Sequence, residues 1–170
     1  MLFSVKPIKH SPGKSLMFQF TMDLTDVDFN GRCPAQEPVQ AEGAVRNTAG
    51  MLELALRVWT TLDCVCDRCA KEFKREKEVF YDCVLAEEKQ DESNEDIVLL
   101  EDGEFVDLED LARTVFILEM DTKTLCSEDC KGLCSRCGAD LNLGPCSCKK
   151  EVDPRLAVLA KLLDKNSDDQ

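Results

Sequence analysis

The first half of the chain alternates apolar and polar residues, a pattern typical of β-strands with one buried face. It predicts strands at 16–22, 39–46 and 51–62, and a less regular strand at 73–85. The stretch 47–50 is rich in turn formers and predicts a hairpin between the second and third of these strands. The first half therefore predicts a mostly antiparallel sheet.

The second half has a different periodicity. Residues 87–96 are acidic and polar and predict a mobile loop or linker, and a short strand is predicted at 97–100. Apolar residues then recur at helical spacing, which predicts a helix at 107–120 with Asp107 as its N-terminal cap. An Asp-Pro pair followed by an apolar stripe predicts a terminal helix at 154–164, which docks either on its own domain or on a partner.

These elements predict an α+β protein in which a helix, a cysteine-rich loop and a short C-terminal helix follow the sheet. One version of the prediction makes the sheet barrel-like. The chain of 170 residues is long enough for one domain with an extension and can bury a core without disulfides. We place a β-rich core at 1–120 and a cysteine-rich extension at 121–170.

Charge and hydropathy narrow the location and the partners. The chain has no run of about 18 apolar residues and no apolar stretch typical of a secretory signal, so we expect a cytoplasmic protein away from membranes. The net charge is −13, from 21 basic and 34 acidic residues. Such a chain repels naked nucleic acid, and the charge either favours basic protein partners or only keeps the protein soluble.

Cysteine is the main candidate for chemistry, because 11 cysteines occur and six of them lie within residues 125–148. This segment has few large apolar residues and cannot fold around a core of its own. In a reducing compartment, clustered cysteines more often bind metal or carry out redox chemistry than form disulfides. The odd total also disfavours a complete disulfide framework.

The spacing in the C-terminal segment predicts a structural zinc site. Cys134 and Cys137, followed by Gly138, form a tight knuckle that points both sulfurs at one centre. Cys146 and Cys148 supply two more thiolates beyond a Gly-Pro turn. Four thiolates form the usual tetrahedral set for zinc, and we name these four cysteines group 1.

A second zinc site is predicted if the remaining clustered cysteines also serve as metal ligands. Cys66 and Cys69 lie at a turn between two predicted strands and need two more ligands. Cys126 and Cys130 could complete the set and attach the C-terminal segment to the sheet. We name these four cysteines group 2.

Other chemistries remain open at these cysteines. Cys66 and Cys69 could form a redox pair, although such pairs normally sit at the start of a helix. Iron–sulfur binding suits four thiolates, but its usual run of cysteines is absent. A catalytic zinc usually has His, Asp or Glu nearby, and the single histidine, His10, is far away in sequence. Cys33 and Cys83 are isolated and predict core or free thiols.

Three stretches of the sequence form specific motifs: C-x-R-C-x3-F at 66–73, DGEFVDL at 102–108 and L-C-x2-D-C-K-G-L-C-x2-C-G-x2-L-N at 125–142. A C-x-C pair and D-P-R-x-A-x-L-x2-L at 153–162 follow. Together these motifs resemble the bacterial YceD family of large ribosomal RNA subunit accumulation proteins. The resemblance runs from about 39 to 163, and its third stretch is the most specific.

The resemblance implies a cytoplasmic, non-enzymatic factor that supports accumulation, processing or assembly of large-subunit (23S) ribosomal RNA. With the charge, it points to ribosomal or RNA-processing proteins as partners, with ribosomal RNA contacted within a complex. No small-molecule substrate is expected. Two other functions stay open: a zinc-stabilised interaction module in transcription or another assembly, and a thiol oxidoreductase that uses Cys66 and Cys69.

Overall fold

A computed structural model describes residues 1–88 and 97–148 of the chain. Within these residues the fold is mostly sheet, with two short helices. In chain order the elements are β1 (Leu2–Ser4), α1 (Lys6–Lys9), β2 (Ser15–Met22), β3 (Val39–Thr48), β4 (Met51–Val65), β5 (Glu72–Ala86), β6 (Ile97–Leu99), β7 (Phe105–Asp107) and α2 (Leu108–Leu118).

The largest element is a five-stranded sheet in the order β2-β3-β4-β5-β6. Its first four strands pair antiparallel, as the sequence predicts, whereas β6 joins β5 in parallel. A separate antiparallel pair joins β1 to β7. The five-stranded sheet is open, with β2 and β6 at its edges, and no closed barrel forms in the described part of the chain.

Alternation along the strands creates one buried face. In β4 the side chains of Leu54, Leu56 and Val58 are buried, while the residues between them are partly or fully exposed. The helix α2 contributes Leu108 and Phe116 to the same apolar core. The Asp107 side chain accepts hydrogen bonds from the backbone N–H groups of the first helical turn, which is the cap that the sequence predicts.

The turn between β3 and β4 lies where the sequence predicts a hairpin. Thr48 pairs with Met51, and the two residues between them, Ala49 and Gly50, have φ angles of 54° and 98°. Two successive left-handed residues match the twist of the flanking strands in a two-residue hairpin. The side chain of Asn47 fixes the turn by accepting a hydrogen bond of 2.8 Å from the N–H of Gly50.

Gly43 of β3 gives a direct test of how tightly the sheet packs. A Cβ at this position would lie 2.1 Å from the carbonyl oxygen of Ala55 and 2.6 Å from Cζ of the Phe18 ring. We expect Gly43→Ala to lower the free energy of unfolding by about 2 kcal/mol, because the backbone and ring must shift. Urea unfolding measures the change. The neighbouring Ala44→Ser should change the free energy of unfolding by no more than about 0.5 kcal/mol. A Gly43→Ala variant with the stability of the wild type would contradict this packing.

The described residues divide into two compact units. The first unit contains Met1–Asp67 and Lys71–Cys126, and the second contains Arg68–Ala70 and the residues from Ser127 on. The apolar core belongs to the first unit. In the second unit, within the described stretch 127–148, only Cys130 and Gly132 are buried.

The structure leaves some of the predictions untested. The terminal helix predicted at 154–164 lies outside the described residues, as does most of the acidic stretch predicted at 87–96. The domain boundaries predicted at 1–120 and 121–170 also remain a prediction.

Candidate metal centres

Group 1 brings four sulfurs together at the C-terminal end of the described chain. The Sγ atoms of Cys134, Cys137, Cys146 and Cys148 all lie within 4.8 Å of one another. Sulfurs bound to one tetrahedral zinc ion are roughly 3.8 Å apart, given a Zn–S bond of about 2.3 Å. The structure therefore collects the four cysteines that spacing predicts, in a geometry compatible with one metal ion.

The knuckle of group 1 is built by backbone hydrogen bonds. The N–H of Gly138 donates to the carbonyl of Cys134 at 2.9 Å, and the N–H of Cys134 donates to the carbonyl of Ala139 at 2.8 Å. Gly138 has a φ of 71°, in the region that glycine adopts without strain. The chain thus reverses directly after Cys137 and turns both sulfurs the same way.

The thiols of group 1 have pKa values that are shifted in opposite directions. Hydrogen bonds from the backbone N–H groups of Cys137 and Arg136 lower the pKa of the Cys134 thiol from 9.0 to about 6. Hydrogen bonding to the Cys137 side chain, followed by desolvation, raises the pKa of Cys148 to about 12. Without a metal ion, the thiolate form is therefore favoured at Cys134 and disfavoured at Cys148. A divalent cation would offset the repulsion between neighbouring thiolates by stabilising all four.

Group 2 is more deeply buried. Its four Sγ atoms, from Cys66, Cys69, Cys126 and Cys130, also lie within 4.8 Å of one another. Cys66, Cys69 and Cys130 are buried, and Cys126 is half-buried. The members are the ones that the sequence prediction groups, and the arrangement could hold one metal ion. Ligation by either group stays a prediction.

The turn that follows β4 positions the first cysteine of group 2. The N–H of Cys66 donates to the carbonyl of Lys71 at 2.9 Å, which closes a loop between β4 and β5. Within this loop Ala70 has a φ of 56°, so the chain reverses sharply after Cys69. A knuckle between two strands is the setting that the sequence predicts for Cys66 and Cys69.

Polar contacts hold the segment that leads to Cys126. The N–H of Asp67 donates to the carbonyl of Thr124 at 2.8 Å, and the N–H of Thr124 donates to the Asp67 carboxylate at 2.6 Å. The guanidinium of Arg75 donates to the carbonyl of Leu125 at 2.8 Å. These bonds fix the backbone directly before Cys126 and so limit where its sulfur can lie.

Arg68 and Gly132 position Cys130. The Arg68 guanidinium donates to the Cys130 carbonyl at 2.8 Å, and the Arg68 carbonyl accepts from the N–H of Leu133 at 2.9 Å. Gly132 has a φ of 75°, and a Cβ there would lie 2.8 Å from the Arg68 carbonyl oxygen. Only glycine fits this close approach without a shift.

Asn142 contacts a group 2 sulfur directly. Its Nδ2 donates to Sγ of Cys130 at 3.5 Å, and its Oδ1 accepts from the N–H of Lys131 at 2.7 Å. Asp140 in turn accepts from the Asn142 side chain at 2.7 Å. Reasoning from cysteine spacing misses this residue, because neither its type nor its position marks it as a neighbour of Cys130.

Comparison with known proteins identifies the family. A family model described as "Large ribosomal RNA subunit accumulation protein YceD" matches residues 54–163, well over half of the chain. The chain belongs to the YceD family. The match covers both cysteine groups in full, together with Arg68, Gly132 and Asn142.

The curated relatives share a shorter region. An uncharacterized protein of Mycobacterium bovis and uncharacterized proteins of two Mycobacterium tuberculosis strains are each 37% identical to the chain over 65 residues. That region is 38% of this chain and only 31% of the length of each relative. No solved structure is a significant match.

The remaining cysteines lie outside both groups. Cys83 is buried in the apolar core of the sheet, as the sequence predicts for an isolated cysteine. Cys33 is half-buried, and burial raises the pKa of the Cys64 thiol. His10 joins neither group among the described residues. No helix within 1–88 and 97–148 is both long and apolar enough to span a membrane.

Proposed function

We propose that this YceD-family protein is a non-enzymatic cytoplasmic factor that supports accumulation, processing or assembly of large-subunit (23S) ribosomal RNA. The observation that carries the proposal is the family match, whose description names large ribosomal RNA subunit accumulation. The two groups of four cysteines could each hold a metal ion, which supports a role for bound metal in keeping the protein folded.

Zinc is the metal that we assign to both groups. All eight donors are thiols, the soft ligands that zinc accepts in closed tetrahedral sites. Residues 127–148 bury almost no apolar surface, so metal binding would supply the folding free energy that a core supplies elsewhere. This reasoning supports structural zinc, with Cys134, Cys137, Cys146 and Cys148 at one site and Cys66, Cys69, Cys126 and Cys130 at the other.

A structural role for zinc also supports a protein that is not an enzyme. Four protein thiolates complete a tetrahedral zinc site and leave no position for water or substrate. Cys66 and Cys69 lie in a turn between two strands rather than at a helix start, which disfavours the thiol oxidoreductase alternative. The net charge of −13 supports basic ribosomal or RNA-processing proteins as the direct partners.

Depletion in the native host tests the function. We expect large-subunit ribosomal RNA to fall relative to small-subunit RNA, with restoration by the wild-type chain and by Cys33→Ser, which changes a cysteine outside both groups. Quantitative analysis of total RNA and ribosomal particles gives the ratio. An unchanged ratio after complete depletion, with a defect in transcription or another assembly instead, would favour the interaction-module alternative.

Asn142 should tune metal affinity at group 2. Removing its hydrogen bond to the Cys130 sulfur by Asn142→Ala should weaken zinc binding at that site by about tenfold, because outer-shell donors orient and stabilise metal ligands. Competition with a chromophoric chelator measures the affinity. Leu143→Ala, a change at an exposed neighbour, is the matched control. Equal affinities for the two variants would show that the contact has no role in binding.

A further inference from the structure

The sheet has a second face, opposite the core, from which several apolar side chains protrude, among them Met17 and Phe80. Met17 of β2 is 85% exposed and Phe80 of β5 is 68% exposed. Single exposed apolar residues are common, but exposed apolar residues on both sides of a depression are typical of binding surfaces. The face is therefore a candidate binding site if Met17 and Phe80 border the same depression.

Strand register places both side chains beside one depression. Met17 pairs with Ala44, Ala44 pairs with Ala55, and Ala55 pairs with Asp82, two residues from Phe80 on the same face. Met17 and Phe80 thus stand three strand spacings and two residues apart, roughly 16 Å. The small residues between them leave a shallow open depression of about 690 Å³. We name this surface the Met17–Phe80 face.

The charged residues around the depression are mostly acidic. Arg57 is the basic residue of the lining, and its guanidinium pairs with Glu42 of the lining and with Glu78 outside it. Asp82 also lines the depression. Two carboxylates against one guanidinium leave the lining with a net negative charge, which attracts a basic partner and repels phosphate.

We propose that the Met17–Phe80 face binds a basic polypeptide segment that inserts an apolar side chain into the depression. Met17 and Phe80 would pack against that side chain from opposite ends of the depression, and the acidic rim would attract the flanking lysines or arginines. RNA suits this surface poorly because of its phosphates, and a second copy would bring two acidic rims together. The proposal deepens the proposed function and rests on it only for the partner's origin among ribosomal or RNA-processing proteins.

Peptide binding to the full chain tests the proposal. The probe is a short fluorescent peptide that alternates lysine and leucine, titrated by anisotropy at physiological salt. We expect saturable binding, and a loss of about tenfold in affinity for both Met17→Ser and Phe80→Ser, because each removes an apolar contact. Leu118→Ser is the matched control: this residue is 77% exposed at the end of α2, and its change should leave binding unaltered.

Two further variants separate shape from charge. Ala55→Leu fills the floor of the depression while keeping Met17 and Phe80, so it should also reduce affinity about tenfold. Asp82→Asn should weaken binding and reduce its salt dependence, whereas Glu119→Gln, which neutralises an exposed acid at the end of α2, should not. Thermal unfolding of each variant confirms that the chain still folds.

Several results would overturn the proposal. A lysine–serine peptide of equal charge that binds as tightly would show attraction by charge alone. Equal losses for Phe80→Ser and Leu118→Ser would place the peptide elsewhere. Tighter, Phe80-dependent binding of an oligouridylate, or Phe80-dependent dimerisation in sedimentation, would assign the face to RNA or to a second copy.

Peptide binding without any ribosomal RNA defect on depletion would contradict the proposed function and leave this inference standing.

Discussion

Removal of bound metal from the purified protein will unfold residues 127–148 while the five-stranded sheet stays folded. Within this described stretch only Cys130 and Gly132 are buried, so no apolar core remains once the metal leaves. A structural zinc ion contributes about 10 kcal/mol to folding, which is comparable with the whole stability of a domain. The sheet has its own buried core of Leu, Val and Phe side chains and does not depend on this contribution.

Hydrogen exchange after chelation under reducing conditions checks this result. The N–H groups of Leu133, Cys134 and Leu141 donate backbone hydrogen bonds in the folded protein and should lose their protection. The N–H groups of β3, β4 and β5 should keep theirs. Cys137→Ser should mimic chelation around group 1, and Cys33→Ser should not. Protection that survives complete metal removal would contradict a structural role for metal.

Asn47→Ala will destabilise the sheet unit by about 3 kcal/mol, the largest effect that we expect from a single polar substitution there. The Asn47 side chain is fully buried. Its Nδ2 donates to the carbonyls of Ile8 and Lys9 at 2.7 and 2.9 Å, and its Oδ1 accepts from Gly50. Alanine would leave these backbone groups without the Asn47 side chain as partner, and the bond to the Ile8 carbonyl is buried.

Urea unfolding of Asn47→Ala and Asn47→Asp measures the cost. The aspartate keeps an acceptor for Gly50 but sets a second oxygen against two carbonyls, so it should destabilise at least as much as alanine. Thr48→Ala is the control, because Thr48 is exposed and makes one surface hydrogen bond to Glu53. A loss below about 1 kcal/mol for Asn47→Ala would contradict this network.

The sequence predicts the long strands and α2 because their apolar positions repeat over enough residues to show a period. The strand β4 alternates along most of its length, and the buried positions of α2 recur at helical spacing. The membership of both cysteine groups is also predicted from sequence, since two cysteines three positions apart point both sulfurs at one centre. The position of the hairpin turn is predictable from Asn47 and Gly50, whereas the left-handed φ of Ala49 is not expected from its residue type.

Other features depend on contacts between distant residues. The elements β1, α1 and β7 have three or four residues each, too few to show a period, and β1 pairs with β7 across most of the chain. The parallel pairing of β6 depends on the sheet edge that it meets rather than on its own three residues. Asn142 reaches Cys130 only after the loop between them has folded.

Native mass spectrometry of the full chain tests the central claim, that two groups of four cysteines each hold one structural zinc ion. The protein should be purified under reducing conditions without chelator, with metal identity determined by elemental analysis. We predict two zinc ions per chain, and one ion for Cys137→Ser, which damages group 1 alone. A wild-type chain that carries one zinc ion or none would contradict the account.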